Sequence, residues 1–126
     1  MKKEIIHTDQ APAAVGAYSQ AVKAGNTVYL SGQIAIDPET QEIMTGGVEK
    51  QAKRVLENLK AVLAAADCTF KDVVKTEIFL DDINDFSAVN DIYAEYFAEE
   101  PPARACVEVG SLPKGVAVEI SVIAVK

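Results

Sequence analysis

Val116-Ala117-Val118-Glu119-Ile120-Ser121-Val122-Ile123-Ala124-Val125 is the stretch on which the fold turns. Its density of β-branched residues marks a strand. Alternation, however, does not leave it with one apolar and one polar face. Val116, Val118, Ile120 and Val122 fall at one parity, and Ala117, Ile123 and Val125 at the other. A sheet with helices on one side only is expected to keep its other side polar. This strand therefore predicts a sheet covered twice, by helices on one face and by further copies of the chain on the other. Glu119 breaks the apolar run and shares its face with Ala117 and Ser121.

Working outward, Leu112-Pro113-Lys114-Gly115 joins this strand to an earlier one over 103–109. Pro101-Pro102 ends a helix predicted over 85–98, with Phe86, Val89, Tyr93 and Phe97 on one side and Asn84 or Asp82 as its cap. Residues 72–80 alternate as a strand. Over 48–66 the apolar residues Val48, Ala52, Val55, Leu59, Val62, Leu63 and Ala66 recur at helical spacing. Asp67 stands where a helix-ending glycine is common, and aspartate tolerates the left-handed conformation better than most residues. Thr27–Gln33 reads as a strand, and shorter strands are predicted at 3–7 and 16–24; Asp37-Pro38 and Gly46-Gly47 mark the loop between the first strands and the first helix. The order ββ(β)αβαββ predicts an α+β fold in one domain over residues 1–126, a mixed sheet with two helices packed on one face.

Twelve basic against 19 acidic residues give a net charge of −7, which opposes a phosphate backbone, so no nucleic-acid partner is expected. Cys68 and Cys106 show no CxxC spacing and suit a reducing compartment. Behind Lys2 and Lys3 there is no apolar run resembling a signal peptide, and the longest apolar stretch is too short for a bilayer and contains Glu119. The expected location is cytoplasmic, away from membranes. No ligand spacing supports a metal, Thr45-Gly46-Gly47 reads as a helix start more than a phosphate cradle, and His7 is the only histidine. No cofactor is expected.

Two charges interrupt apolar strands and carry the functional reading. Arg104 shares a strand face with Cys106 and Glu108 and could grip a carboxylate with a rigid fork of donors. It equally suits a strand-end arginine reaching water or paired with Glu108. Glu119 could hold and activate a water if its strand is covered; on an exposed edge it is a solvated carboxylate. Tyr18 and Ser19 after Gly16, and Ser31-Gly32 at a strand end, are polar groups in tight places that also suit turns. Asn90 lies four residues after Phe86 on the second helix, and Cys106 could be a small core residue.

Taken together the motifs resemble the Rid (reactive intermediate deaminase) family, also called the YjgF family, along nearly the whole chain. The resemblance lies in Gly16–Ala21, Leu30–Gln33, Asn58–Leu63, Val73–Thr76, Asn84–Phe86 with Val89, Asn90 and Tyr93, Pro102-Ala103-Arg104, Leu112-Pro113 and Val118-Glu119-Ile120. Ala17 stands where the family often has proline, and Asp67 where it often has glycine. The resemblance implies a chorismate-mutase-like fold and a homotrimer whose sheets line a central barrel, with sites between subunits. It further implies hydrolysis of 2-iminobutanoate and 2-iminopropanoate from dehydratases to 2-oxo acids and ammonia. Arg104 would bind the substrate carboxylate and Glu119 would position the water. Tyr18, Ser31, Gly32, Asn90 and Cys106 would line the pocket. The competing expectation is a module that binds 2-oxo or 2-imino acids without turnover.

Overall fold

The apolar C-terminal strand forms and lies inside the sheet, with strands hydrogen-bonded along both of its edges. The computed structural model describes residues 2–126. Its strands are β1 (Lys3–Ile6), β2 (Ala21–Ala24), β3 (Thr27–Gln33), β4 (Val73–Leu80), β5 (Ala103–Glu108) and β6 (Val118–Val125), and its α-helices are α1 (Val48–Ala65) and α2 (Phe86–Tyr96). The sheet order is β1-β2-β3-β6-β4-β5. β4 and β5 run parallel, linked through α2, and the remaining neighbours are antiparallel. The result is the expected mixed α+β arrangement.

One face of the sheet carries the core. Val118, Ile120, Val122 and Ala124 of β6 are buried, as are Ile78 and Leu80 of β4 and Val28 and Leu30 of β3. They pack under α1, whose buried stripe is Ala52, Val55, Leu56, Leu59, Val62 and Leu63. Asp67 closes α1 as its position in the sequence foretold. It sits at φ 59, its N–H bonds Ala64 O at 3.0 Å and the N–H of Cys68 bonds Leu63 O at 2.8 Å, the paired pattern of a Schellman ending.

The other face is open in the single chain. Tyr29 is 51% exposed, Ile5 54% and Val107 46%, while Phe79 and Ile123 between them are half-buried. Two-sided apolarity is thus real, and a single chain covers only one side.

Three elements differ from the sequence reading by two residues or more. The strand expected over 16–24 shrinks to Ala21–Ala24, because Gly16 turns at φ 116 and the buried Gln20 side chain fastens the preceding loop. Gln20 Nε2 donates to Thr8 O (2.9 Å) and Pro12 O (2.8 Å), and its Oε1 accepts from Thr8 N (2.7 Å). The helix expected over 85–98 begins as a 3-10 turn, Ile83–Asp85, capped by Asp82 through Asn84 N, and leaves helical geometry at Phe97. The last strand starts at Val118, after a 3-10 turn at Pro113–Gly115.

Asn58, fully buried on α1, fixes the segment that leaves β3. Its Nδ2 donates to Ile34 O (3.2 Å) and Ile36 O (2.9 Å), and its Oδ1 accepts from Arg54 Nε at 3.1 Å. Asn58→Ala strands the Ile36 carbonyl, while Ile34 O keeps the N–H of Ile36 at 2.8 Å, so a loss of about 1–3 kcal/mol in urea unfolding is expected. An unchanged unfolding midpoint would show that the Ile36 carbonyl finds another partner.

Candidate active site

All of the proposed site residues except Cys106 fall into two separate concavities. The first is a cavity of about 600 Å³ whose lining includes Tyr18, Ser31, Gly32 and Glu119, with Ile34 and Pro113 among its apolar walls. The second, about 420 Å³, is lined by Asn90, Tyr93, Ala94, Phe97, Pro101, Pro102 and Arg104.

Glu119 reaches the first cavity because β6 alternates. Val118 and Ile120 point into the core, so Glu119 points to the open face, opposite Phe79 of β4. Burial alone pushes its carboxyl above the usual carboxylate range, with no neighbouring charge to oppose the shift. Gly32 makes room for it. A Cβ on Gly32 would lie 2.3 Å from Glu119 Oε2 and 3.0 Å from Cδ. Here glycine serves close approach and no special backbone angle. Gly32→Ala is expected to displace the carboxylate by rotation of a flexible side chain. Stability would change little, and any activity that depends on Glu119 would fall about 10–100-fold in kcat/KM. Full activity in that variant would show that the carboxylate's present position is not used.

Ser31 lines the same cavity, but its hydroxyl is committed: Oγ donates to Ser19 O at 2.6 Å. With the bond from Ser31 N to Gln20 O at 3.0 Å, it ties β3 to the loop that carries Tyr18. Tyr18 itself is 54% exposed at the cavity mouth.

Arg104 occupies the opposite side of the sheet. Its register partner on β4 is Thr76, a buried residue whose Oγ1 lies 2.9 Å from Tyr93 Oη on α2. Arg104 Nη1 donates to Asn90 Oδ1 at 2.7 Å. Its guanidinium carbon lies 5.0 Å from the Tyr93 ring centroid and 5.3 Å from that of Phe86. The alternative partner, Glu108, is used elsewhere, accepting from Ile83 N at 2.9 Å. Cys106 is half-buried on the Arg104 face and packs against the core. Burial raises its thiol pKa, against a lowering by Arg104; it lines neither concavity.

The structure thus brings Tyr18, Ser31, Gly32 and Glu119 together, and separately Asn90 and Arg104. In one chain the sheet stands between the two groups. Tyr93 and Phe86 escaped the sequence reading as site residues because they were placed only on one side of the predicted second helix. The signal was an asparagine set among aromatics at i, i+4 and i+7 on one helix face. Among the described residues no cluster of potential metal ligands occurs, and no helix is long and apolar enough to cross a membrane.

Residues 8–126 match the family model described as Endoribonuclease L-PSP. A RutC family protein of Pyrococcus abyssi is 52% identical over 126 residues, covering 100% of this chain and 99% of the relative. The 2-iminobutanoate/2-iminopropanoate deaminase of Rattus norvegicus is 52% identical, over 98% of this chain and 90% of that protein. Among solved structures, RidA from the Antarctic bacterium Psychrobacter sp. superposes with a TM-score of 0.94 at 50% identity, covering 98% and 99% of the respective chains.

Proposed function

We propose that this chain, which belongs to the endoribonuclease L-PSP (YjgF/Rid) family, is a cytoplasmic, cofactor-independent hydrolase of 2-iminobutanoate and 2-iminopropanoate. The observation that carries the reading is the complementarity of the two concavities. One presents a cation with no acidic partner among the described residues, suited to a carboxylate. The other presents a half-buried carboxylate with no neighbouring counter-charge, suited to a water and a developing cation. Neither half is a site alone, and the open apolar face supports a homotrimer in which Arg104 of one copy faces Glu119 of the next.

In that arrangement Arg104 holds the substrate carboxylate and so fixes the imine carbon. Water adds to that carbon of the protonated imine as Glu119 takes one of its protons, giving a neutral carbinolamine. Glu119 returns the proton to nitrogen, the C–N bond breaks, and the hydroxyl proton leaves with ammonia as ammonium. The carbon keeps the water oxygen as the ketone of a 2-oxo acid. Imines hydrolyse unaided, so orientation and one acid–base group suffice, contributing about 10²–10⁴-fold.

The family model's name invites RNA cleavage, but the net charge of −7 opposes a polyanion. The test is 2-oxobutanoate formation from imine generated by a threonine dehydratase, with semicarbazide trapping free imine. Diversion of imine from the trap supports the hydrolase. No diversion, with 2-oxobutanoate still bound in calorimetry, would replace it with a binding module.

A further inference from the structure

We infer that Asn90 and Tyr93 are positioning residues for Arg104, holding its guanidinium with the Nε–Nη2 edge turned to a ligand carboxylate and its charge left unneutralised. The inference rests on the proposed carboxylate-binding role of Arg104 and specifies how the fold prepares it. An arginine on an edge strand ordinarily samples many rotamers, and ordering it on binding costs affinity. Here the order exists before any ligand arrives.

Three contacts impose it. The aromatic rings of Tyr93 and Phe86, at 5.0 and 5.3 Å, cover the guanidinium. Tyr93 is itself fixed, because its hydroxyl meets Thr76 Oγ1 at 2.9 Å inside the core, and Thr76 is the residue beside Arg104 across the β4–β5 pairing. The ring is therefore pinned to the strand pair that carries the arginine. Asn90 then sets the in-plane rotation by taking one Nη1 proton at 2.7 Å. Of the five guanidinium donors, those on Nε and Nη2 form the side-on fork that matches a carboxylate, and among the described residues nothing occupies them. Burial holds the Tyr93 phenol pKa up, outweighing the Thr76 hydrogen bond and Arg104, so the ring stays neutral.

The chemistry of the acceptor matters as much as its place. A carboxylate at position 90 would orient the guanidinium equally well and would also cancel its charge. An amide orients without cancelling. A contact that served only to fasten β5 to α2 would be kept or strengthened by a carboxylate. A contact that prepares an anion site would be spoiled by it.

Asn90→Asp separates the two. The expected result is about a tenfold rise in the Kd of 2-oxobutanoate and in KM for imine, with kcat close to wild type and thermal stability kept. Tyr93→Leu, which removes the ring, is expected to raise the same Kd. Arg104→Ala is run beside them. Wild-type affinity in Asn90→Asp, with binding lost in Arg104→Ala, would overturn the positioning role and leave the carboxylate clamp standing. Wild-type affinity in Arg104→Ala would instead overturn the clamp, and the positioning role with it.

Discussion

Arg104→Ala is expected to lose imine hydrolysis by about 10²–10³-fold in kcat/KM while remaining folded. The two parts of this expectation have different sources. The guanidinium lies on the surface, touching one amide and two ring faces. Its removal leaves no buried group unpaired, and the stability change stays within about 1 kcal/mol. The proposed imine substrate, by contrast, would lose the charge-assisted anchor assigned to Arg104 and with it the placement of the imine carbon. Arg104→Lys keeps the charge and loses the planar fork, so it should restore only part of the activity. The dehydratase-coupled assay and urea unfolding measure both halves of the claim. Near-normal turnover in the alanine variant would remove Arg104 from the mechanism.

Glu119→Gln should cost about 10²–10⁴-fold in turnover while binding of 2-oxobutanoate persists, since the task proposed for the carboxylate is to align and deprotonate water. A selective loss of binding instead would contradict that task. The pH dependence follows from burial, which raises the carboxyl pKa in the folded chain. Wild-type kcat/KM is then expected to fall as pH drops through that raised pKa, and the acid limb should vanish in the glutamine variant. Stability moves the other way. Because the folded-state pKa lies above the unfolded one, the folded chain binds this proton more tightly. The stabilisation from that proton is fully present below the unfolded pKa and is lost as pH rises through the folded one. At neutral pH the ionised carboxylate therefore costs stability. Glu119→Gln should unfold later than wild type there, and the difference should close in acid.

Much of this was legible from local patterns. The stripe on α1 and the strand over 72–80 follow from spacing, the strand over 27–33 from its dense β-branched and aromatic residues, and Asp67 at the end of α1 from the left-handed tolerance of aspartate. The loop before Ala21 was not legible, because Gln20 reaches Thr8 and Pro12 at a distance no propensity encodes. Arg104 and Glu119 stood out as charges within apolar strands, and parity gave each one's neighbours on its own strand. Parity could not relate the two faces. That relation depends on the order β3-β6-β4-β5 and on which side the helices cover. Tyr93 was read as one of the residues along one side of the second helix, and it is buried; its second use as a seat for a cation depends on the pairing of Thr76 with Arg104.

The placement of Arg104 and Glu119 on opposite sides of one sheet has a consequence for heredity and dosage. If each working site borrows one residue from each of two chains, a defective copy does more than fail: it sits beside sound copies and disables the sites it shares with them. A mutant allele of this protein would then act dominantly when co-expressed with the normal one. By the same logic, dilution below the assembly threshold would silence the enzyme without unfolding a single chain.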